Sequence, residues 1–388
     1  MPLDPETRAQ LVDQIRRFVD DRLIPREAEV ADADAMPADI IDEMRGMGLF
    51  GLSIAEDYGG LGLDMEEEAL VIFEIGRAAP AFRSIFATNV GIGSQGIAID
   101  GTPEQKAKYL PGLASGAIIG SFALTEPEVG SDAGSVRTTA RREGDHYILN
   151  GTKRFITNAP HAGLFTVMAR TDPAAKGAAG VSAFAVEAGV PGLSLGKPER
   201  KMGQQGAHVC DVIFDNARVP AEALIGGVEG RGFKTAMKVL DKGRLHIAAA
   251  CTGLAERIID DMLDYAVGRR QFGRAIADFQ LLQAMFADSK AEALAARALV
   301  LDAARRRDAG EDVSMAASCA KMFASEMVGR VADRNVQVHG GAGYIKDYRA
   351  EQLYRDARLF RIYEGTTQIQ QTIIAKTLIA EAKARAGT

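Results

Sequence analysis

Tryptophan is absent from this chain of 388 residues, and cysteine and histidine are scarce, with three and five copies. Cys210, Cys251 and Cys319 are far apart and odd in number, so they predict neither a disulfide framework nor a zinc site. The histidines show no HExxH or comparable spacing, and we expect no metal site. No apolar run approaches the ~20 residues that a membrane-spanning helix needs, so no membrane span is expected.

An excess of positive charge is lacking as well, since the formal net charge is -6 and the pI is near 5.6. This acidic balance disfavours nucleic-acid binding, which requires a basic surface. The first ten residues, MPLDPETRAQ, are polar and unlike a signal peptide. Together with the isolated cysteines, they favour a cytoplasmic protein. The apolar fraction of 47% and the charged fraction of 25% are typical of a globular chain, and the length suits two or three domains.

Two glycine patterns that often mark active sites occur in this sequence, but neither predicts a site here. GIGSQG at 91–96 matches the dinucleotide-binding pattern GxGxxG, but it lies in a helical region and no acidic residue follows at the distance that a ribose requires. GLSLG at 192–196 matches the pattern around a serine nucleophile, but Pro198 follows where a helix is required. No GxxxxGK[ST] phosphate loop is present, so the sequence predicts no nucleotide site of that kind.

The pattern of apolar, β-branched and turn residues changes twice along the sequence, and this predicts an α+β chain in three parts. Helical patterns give way to short β-branched runs rich in turns, and long helical patterns then return. The expected parts are an N-terminal helical domain over 1–120, a middle β-barrel-like domain over 121–230 and a C-terminal helical bundle over 231–388.

Local signals refine this division. Thr102-Pro103-Glu104 is typical of a helix start. Asn150-Gly151 lies between two strand-like runs and predicts a hairpin turn. The runs GLFTVMAR and VSAFAVEA, at 163–170 and 181–188, predict further strands.

Apolar residues recur every three or four positions from Met237 to Met262 and predict one long helix. Arg244 is a cation on this apolar stripe. Either it extends its guanidinium from the edge of the stripe into water, or it is buried and needs a partner or a ligand.

Glu364 stands between an apolar approach, FRIY at 360–363, and the small residues GTT at 365–367. Thr367 and Gln370 fit a capping box for a helix that begins here. An acid just before a helix N-terminus is electrostatically favourable, so the pattern alone indicates a partner for the helix dipole. The apolar neighbours also indicate a dry environment, which would raise the carboxyl pKa and suit a base.

Four separated stretches together resemble the acyl-CoA dehydrogenases. They are FALTEPEVGSD at 122–132, RFITN at 154–158, QVHGGAGYIKDY at 337–348 and YEGTTQIQ at 363–370, in that family's order and spacing. One such motif is weak, whereas four in register are specific, and the similarity covers nearly the whole chain. The resemblance implies a helical–β–helical architecture, FAD as cofactor, an acyl-CoA substrate, an electron-transfer flavoprotein as partner and a homotetramer.

Acyl-CoA dehydrogenation removes the α-proton and the β-hydride of a thioester, which requires a carboxylate base and a redox cofactor. The resemblance assigns the base to Glu364. In the isovaleryl and long-chain branches the base directly precedes the arginine of the stretch that matches DKGR at 241–244. Here that position is Gly243, so the resemblance favours the short-chain, medium-chain and glutaryl branches.

The same motifs imply which residues hold FAD. Those expected around the flavin ring are Phe122, Leu124, Thr125, Gly130, Ser131, Phe155, Ile156 and Thr157. Contacts to the pyrophosphate and adenine from a neighbouring subunit are implied for Arg269, Phe272 and Gln280. A glycine-rich contact, where missing side chains let the backbone approach the dinucleotide, is implied for Gln337, Val338, His339, Gly340 and Gly341. An FAD phosphate at a helix N-terminus is implied for Thr366, Thr367 and Gln368.

Substrate contacts follow from the resemblance in the same way, for Ser131, Gly365, Asp241, Lys242, Gly243 and Arg244. Arg83, within AFRSIFATN at 81–89, resembles the glutaryl-CoA dehydrogenase arginine that holds the distal carboxylate of the substrate. A solvated arginine at a helix start is the alternative, and the sequence favours neither.

Other functions remain open on the sequence. An acyl-CoA desulfinase of the same fold uses a pocket arginine and needs no base, so the presence of Glu364 argues against it. An acyl-CoA oxidase would release peroxide in air. A non-enzymatic helical scaffold would be colourless.

Overall fold

The computed structural model describes residues 2–387, and the first part of the chain is helical. Asp4 caps the first helix by accepting hydrogen bonds from the backbone N–H groups of Glu6 and Thr7. Thr102 and Gln105 form a capping box at the start of the last one, which confirms the helix start predicted there. The helices are α1 (Pro5–Phe18), α2 (Glu27–Ala33), α3 (Ala38–Gly46), α4 (Met65–Ile75), α5 (Pro80–Thr88), α6 (Gln95–Asp100) and α7 (Pro103–Ser115).

The middle part is a curled, mixed sheet with the strand order β1-β4-β2-β3-β7-β6 and with β5 on β4. Strands β1 and β4 run parallel, whereas β4 and β5 form an antiparallel pair. The runs GLFTVMAR and VSAFAVEA are this pair, so their prediction is confirmed. The strands are β1 (Gly120–Ala123), β2 (Thr139–Glu143), β3 (His146–Thr157), β4 (Leu164–Arg170), β5 (Val181–Glu187), β6 (Leu193–Leu195) and β7 (Val209–Pro220).

The hairpin predicted at Asn150-Gly151 is wrong. Strand β3 runs through both residues without turning, and the register with β7 shifts between Leu149 and Gly151, which marks a bulge. Gly151 suits this position because its φ is 146°. The turn that reverses the chain lies before β3 at 144–145, since the last residue of β2 pairs with the first of β3.

The last part is again helical, and its long central helix α8 carries the predicted apolar stripe. Ile247, Cys251, Leu254, Ile258 and Met262 are fully buried, and α8 packs against α4, α9 and α10. Within residues 2–387, no helix combines the length and apolarity needed to cross a bilayer. The elements are α8 (Gly232–Gly268), β8 (Arg270–Gln271), β9 (Arg274–Ala275), α9 (Gln280–Asp308), α10 (Ser314–His339), α11 (Arg349–Ala357) and α12 (Thr367–Ala386).

The arrangement of helices, curled sheet and helices confirms the predicted α+β class. One core joins the N-terminal helices to α8–α11. A second lies inside the sheet, and a third joins α7 to β4, β5 and the start of α8. Helix α8 contributes to the first and the third of these cores. Its first half therefore lies where all three parts of the chain meet.

Candidate active site

Glu364 lies in the short segment that joins α11 to α12, and its backbone is left-handed. Its φ is 52°, and that of Gly365 is 92°. A left-handed conformation is uncommon for a residue with a side chain and persists only where surrounding contacts hold it.

The capping box expected for Thr367 and Gln370 is wrong by one residue. Thr366 is the N-cap of α12, and its hydroxyl accepts a hydrogen bond from the N–H of Ile369 at 3.2 Å. The Nε2 of Gln370 instead donates to the carbonyls of Glu364, at 3.2 Å, and Gly365, at 3.1 Å. Gln370 therefore supports the turn that carries Glu364.

A cavity of about 580 Å³ opens beside Glu364, and all three parts of the chain form its wall. The middle part contributes residues from β1, from the loop that follows it, from the end of β3 and from the segment between β4 and β5. The rest come from α5, the segment between α5 and α6, α8, the turn that carries Glu364, and α12. The residues predicted for flavin or substrate that line it are Arg83, Phe122, Leu124, Thr125, Gly130, Ser131, Phe155, Ile156, Thr157, Arg244, Glu364 and Gly365.

The Glu364 carboxyl group is poised to take up a proton. Burial raises its pKa above the ordinary value, and the cations Arg83, Lys321 and Arg244 partly offset this by favouring the ionised form. Its buried Oε2 accepts no hydrogen bond from any residue in the range 2–387. Since a buried carboxylate oxygen normally has a hydrogen-bond donor, this free oxygen indicates a functional group rather than a structural one.

Gly243 faces Glu364 from α8. A β-carbon on Gly243 would overlap Oε2 of Glu364 and lie 3.0 Å from its Cδ. The carboxylate thus occupies the space that a side chain at 243 would need.

Arg83 is buried, with 6% of its surface exposed, and lines the same cavity as Glu364. The alternative of a solvated arginine is therefore wrong. Its buried Nε has no hydrogen-bond partner among the residues that the structure describes. A buried guanidinium with an unused donor has capacity to bind an anionic or polar ligand group.

The other cation of the cavity, Arg244, is buried on the stripe of α8 and has a partner. Its Nη1 donates to Oδ1 of Asp241 at 2.6 Å, while its Nε is buried without a partner in the described chain. Burial raises the pKa of Asp241, and Arg244 acts in the opposite direction. Of the two interpretations of Arg244, the buried cation is confirmed.

Lys242 requires a correction, because its side chain points away from the cavity. Its ammonium donates to Oε1 of Glu68 at 2.8 Å and to Ser53, and His246 donates to the same carboxylate. Residues on a helix are about 100° apart, so Lys242 and Arg244 lie on different faces of α8. Lys242 is part of a buried ion pair with Glu68 and does not line the cavity beside Glu364.

Sequence reasoning missed the Glu126–Lys153 brace, a buried ion pair next to the residues expected to hold the flavin. The ammonium of Lys153 donates to Oε1 of Glu126 at 2.7 Å and to the carbonyl of Leu124 at 3.2 Å. The same carboxylate accepts the backbone N–H groups of Arg137 and Thr138 at 2.7 and 2.9 Å. Glu126 belongs to the TEPEVGSD motif, so an acid in that motif was the only available signal.

The remaining predicted cofactor residues lie elsewhere on this chain. A second cavity, of about 990 Å³, has Tyr265, which was not predicted, stacked on His339 at 4.0 Å between ring centroids. Thr367 and Gln368 border a third, together with Arg330 and Arg361. Gln337 and Thr366 line none of these three cavities. The predicted residues of the second cavity are Arg269, Phe272, Gln280, Val338, His339, Gly340 and Gly341.

The sequence matches known protein families and relatives over almost its whole length. Family models of the acyl-CoA dehydrogenase N-terminal, middle and C-terminal domains match residues 5–117, 121–217 and 230–379. An acyl-CoA dehydrogenase of Bacillus subtilis is 44% identical over 365 residues, which are 94% of this chain and 96% of that protein.

Two further relatives differ in their named roles. A caffeyl-CoA reductase–Etf complex subunit of Acetobacterium woodii is 41% identical, over 90% of this chain and 92% of its own. The structure of butyryl-CoA dehydrogenase from Megasphaera elsdenii has a TM-score of 0.93 at 35% identity, and covers 98% of this chain and 99% of its own. On these matches, which span almost its whole length, this chain belongs to the acyl-CoA dehydrogenase family.

Proposed function

We propose that this protein dehydrogenates an acyl-CoA thioester to the 2-enoyl-CoA, with FAD as redox cofactor and an electron-transfer flavoprotein as electron acceptor. The observation that carries the proposal is the Glu364 carboxylate, which has a raised pKa and a free oxygen and lies at the wall of a cavity. A base of this kind is what removal of a weakly acidic α-proton requires.

Glu364 takes the α-proton of the bound thioester in this account. Burial acts against ionisation of its carboxyl group, whereas its neighbours Arg83, Lys321 and Arg244 favour the ionised form that can accept a proton. A bound acyl chain would exclude water from the cavity and so make the carboxylate a stronger base. The apolar side chains Ile92, Phe233, Met237, Leu240 and Ile373 suit a hydrocarbon chain.

The cavity wall fits a flat, aromatic cofactor. Phe155 is 57% exposed in a left-handed conformation, with a φ of 57°, and it stands beside Ile156 and Thr157 on the cavity wall. An exposed aromatic ring next to polar backbone is suited to stacking on the flavin ring. FAD, when bound, supplies the hydride acceptor that amino-acid side chains lack.

We also propose a homotetramer, which the family resemblance implies, and the separation of the predicted cofactor residues supports a contact between subunits. The cavity that contains Arg269, Phe272 and Gln280 shares no residue with the cavity beside Glu364. We infer that these residues contact the adenine and pyrophosphate of FAD held by a neighbouring subunit. Phe272, which is 92% exposed in the single chain, suits such an interface.

Reduction of a 2-enoyl-CoA is a second candidate, supported by the caffeyl-CoA reductase relative. The same residues serve both directions, because a protonated Glu364 can return its proton to the α-carbon. That relative is also named as a subunit of an Etf complex, which supports the proposed partner.

The test is anaerobic mixing of the purified yellow protein with a panel of acyl-CoAs, including butyryl-CoA and glutaryl-CoA. Bleaching of the flavin absorbance by a saturated acyl-CoA, with formation of the enoyl product, supports dehydrogenation. The reductase is supported if no saturated acyl-CoA bleaches the flavin, whereas reduced electron-transfer flavoprotein bleaches it and an enoyl-CoA then reoxidises it. A colourless protein, or no change with any thioester, contradicts both, and peroxide formation in air indicates an oxidase.

A further inference from the structure

The turn that carries Glu364 is held by two side chains from neighbouring helices. Gln370 on α12 donates to the carbonyls of Glu364 and Gly365. Lys321 on α10 donates from Nζ to the Gly365 carbonyl at 2.7 Å. Two successive left-handed residues thus have their carbonyls bound by Lys321 and Gln370.

Lys321 is unusual because its long cationic side chain is fully buried. Burial lowers the pKa of its ammonium to about 8. A neutral donor would satisfy one carbonyl without the cost of burying a charge, so the charge itself calls for an explanation.

The groups that face Lys321 come from three elements. The Cys251 thiol and Arg244 belong to α8, Glu326 lies on α10 with Lys321 itself, and Glu364 lies on the turn. The carboxylate of Glu364 in turn faces Arg83 on α5 as well as Lys321 and Arg244. Lys321 therefore donates a hydrogen bond to the backbone next to Glu364 and also favours the ionised form of the Glu364 carboxyl group.

We propose that Lys321 is a positioning residue for the base: its hydrogen bond to Gly365 keeps the turn left-handed so that the Glu364 carboxylate faces the cavity, and its positive charge favours the ionised carboxylate. Lys321 transfers no proton and does not line the cavity beside Glu364. The inference rests on the proposed function and assigns a role to a residue outside the family motifs quoted above.

The test compares Lys321→Met with the wild type and with Lys376→Met, a substitution of an exposed lysine on α12. The first readout is the anaerobic rate constant of flavin bleaching by saturating butyryl-CoA across a pH series. Misplacement of a reacting group by about 1 Å can cost about 10²-fold. We expect Lys321→Met to lose 10- to 100-fold in that constant, with its pH profile displaced to higher pH.

The second readout does not depend on activity. Infrared titration of the Glu364 carboxyl band, identified by its absence from Glu364→Gln, should show ionisation at higher pH in Lys321→Met. FAD content and the affinity for a non-oxidisable acyl-CoA thioether should equal those of the wild type. If Lys321→Met does not fold, Lys321→Gln, which keeps a donor without a charge, should still show ionisation of the Glu364 carboxyl at higher pH than the wild type.

An unchanged rate constant and carboxyl titration in the variant would overturn the proposal. So would a variant that merely loses FAD or melts earlier while its remaining holoenzyme reacts at the native rate. Failure of the wild type itself to react with any acyl-CoA would instead contradict the proposed function, so the two failures are distinguishable.

Discussion

At the scale of single residues, the position of the Glu364 carboxylate depends on the side chain that Gly243 lacks. A β-carbon at 243 would overlap Oε2 and would also lie 3.0 Å from Cγ2 of Ile92. The carboxylate is the flexible end of its side chain and Oε2 has no hydrogen-bond partner in the described chain, so it is the group that would move. A side chain at 243 would therefore displace the carboxylate of Glu364 from its observed position.

Gly243→Ala should lower the anaerobic rate of flavin reduction by about 10²-fold, because the methyl group displaces the carboxylate from its reacting position. The fold should persist, since alanine favours a helix more than glycine does. Stopped-flow absorbance with butyryl-CoA measures the rate. Gly46→Ala, on α3 with open space around its β-carbon, is the matched control. A native rate in Gly243→Ala would show that the carboxylate can act from another position.

Arg83→Met should alter which acyl group is used. The buried guanidinium lines the cavity with an unpaired Nε, so it can bind a carboxylate at the far end of a substrate. Removing one partner of a buried ion pair costs about 3–5 kcal/mol, and kcat/KM for glutaryl-CoA should fall accordingly. Butyryl-CoA should lose less, because with this substrate Arg83 acts only through its charge on Glu364. Equal losses on both substrates would indicate that Arg83 acts only on Glu364 or on the fold.

Residue positions were predictable where a motif carried them and not where distant segments meet. Glu364 and the cavity-lining residues of RFITN follow from local motifs that lie in one cavity. Lys321 is 43 residues from Glu364 in sequence, and no local pattern distinguishes it from a surface lysine of a helix. Lys242 was misassigned as a contact because a four-residue stretch on a helix cannot present every side chain to one ligand.

At the scale of elements, the Glu126–Lys153 brace joins β3 to the loop between β1 and β2. Lys153 is fully buried, which lowers the pKa of its ammonium to about 8. Burial also opposes ionisation of Glu126, but Lys153 and the backbone donors outweigh it and lower that pKa. The pair therefore stays ionised at neutral pH and ties Leu124 and the loop beyond it to the strand that carries Phe155.

Lys153→Met should weaken both the fold of the middle part and the retention of FAD. Breaking a buried ion pair leaves an uncompensated carboxylate and costs about 3–5 kcal/mol of unfolding free energy. Thermal unfolding of the holoprotein and the ratio of flavin to protein after gel filtration measure the two effects. Lys197→Met replaces an exposed lysine of the same region and should change neither. Native flavin content in Lys153→Met would show that the brace is not needed to retain FAD.

Elements were predictable where their signals are local. The Thr102 capping box and the strands β4 and β5 follow from short patterns. The hairpin at Asn150-Gly151 was wrong because β7, which begins about 60 residues later at Val209, pairs with β3 across this point. The side chain of Asn150 accepts the N–H of Asn216 at 2.8 Å, so the asparagine serves a bulge instead of a turn.

At the scale of the whole molecule, the buried Glu364 carboxyl should reduce stability at neutral pH. Its pKa is raised in the folded state, so the folded protein binds the proton more tightly than the unfolded chain, where the pKa is about 4.3. Stability therefore falls as the pH rises from 4.3 through the folded-state pKa, and the loss persists above it.

Glu364→Gln should accordingly raise the melting temperature of the apoprotein at pH 7, because the amide carries no charge to bury. The gain should shrink as the pH is lowered towards 4.3. Calorimetry of both proteins over a pH series measures it. A gain that is independent of pH would arise from packing, and a loss at pH 7 would mean that Arg83, Lys321 and Arg244 need the negative charge.

The central claim is that Glu364 removes the α-proton of an acyl-CoA, and the most direct measurement is the anaerobic rate of flavin reduction in Glu364→Gln. The amide keeps the size of the side chain and leaves the turn, Gln370 and the cap at Thr366 intact. Loss of a general base typically costs ~10²–10⁴-fold, and we predict at least that loss with unchanged FAD content and acyl-CoA affinity. Glu381→Gln, at an exposed acid on α12, should react like the wild type. If Glu364→Gln reduces its flavin at near the native rate, Glu364 is not the base.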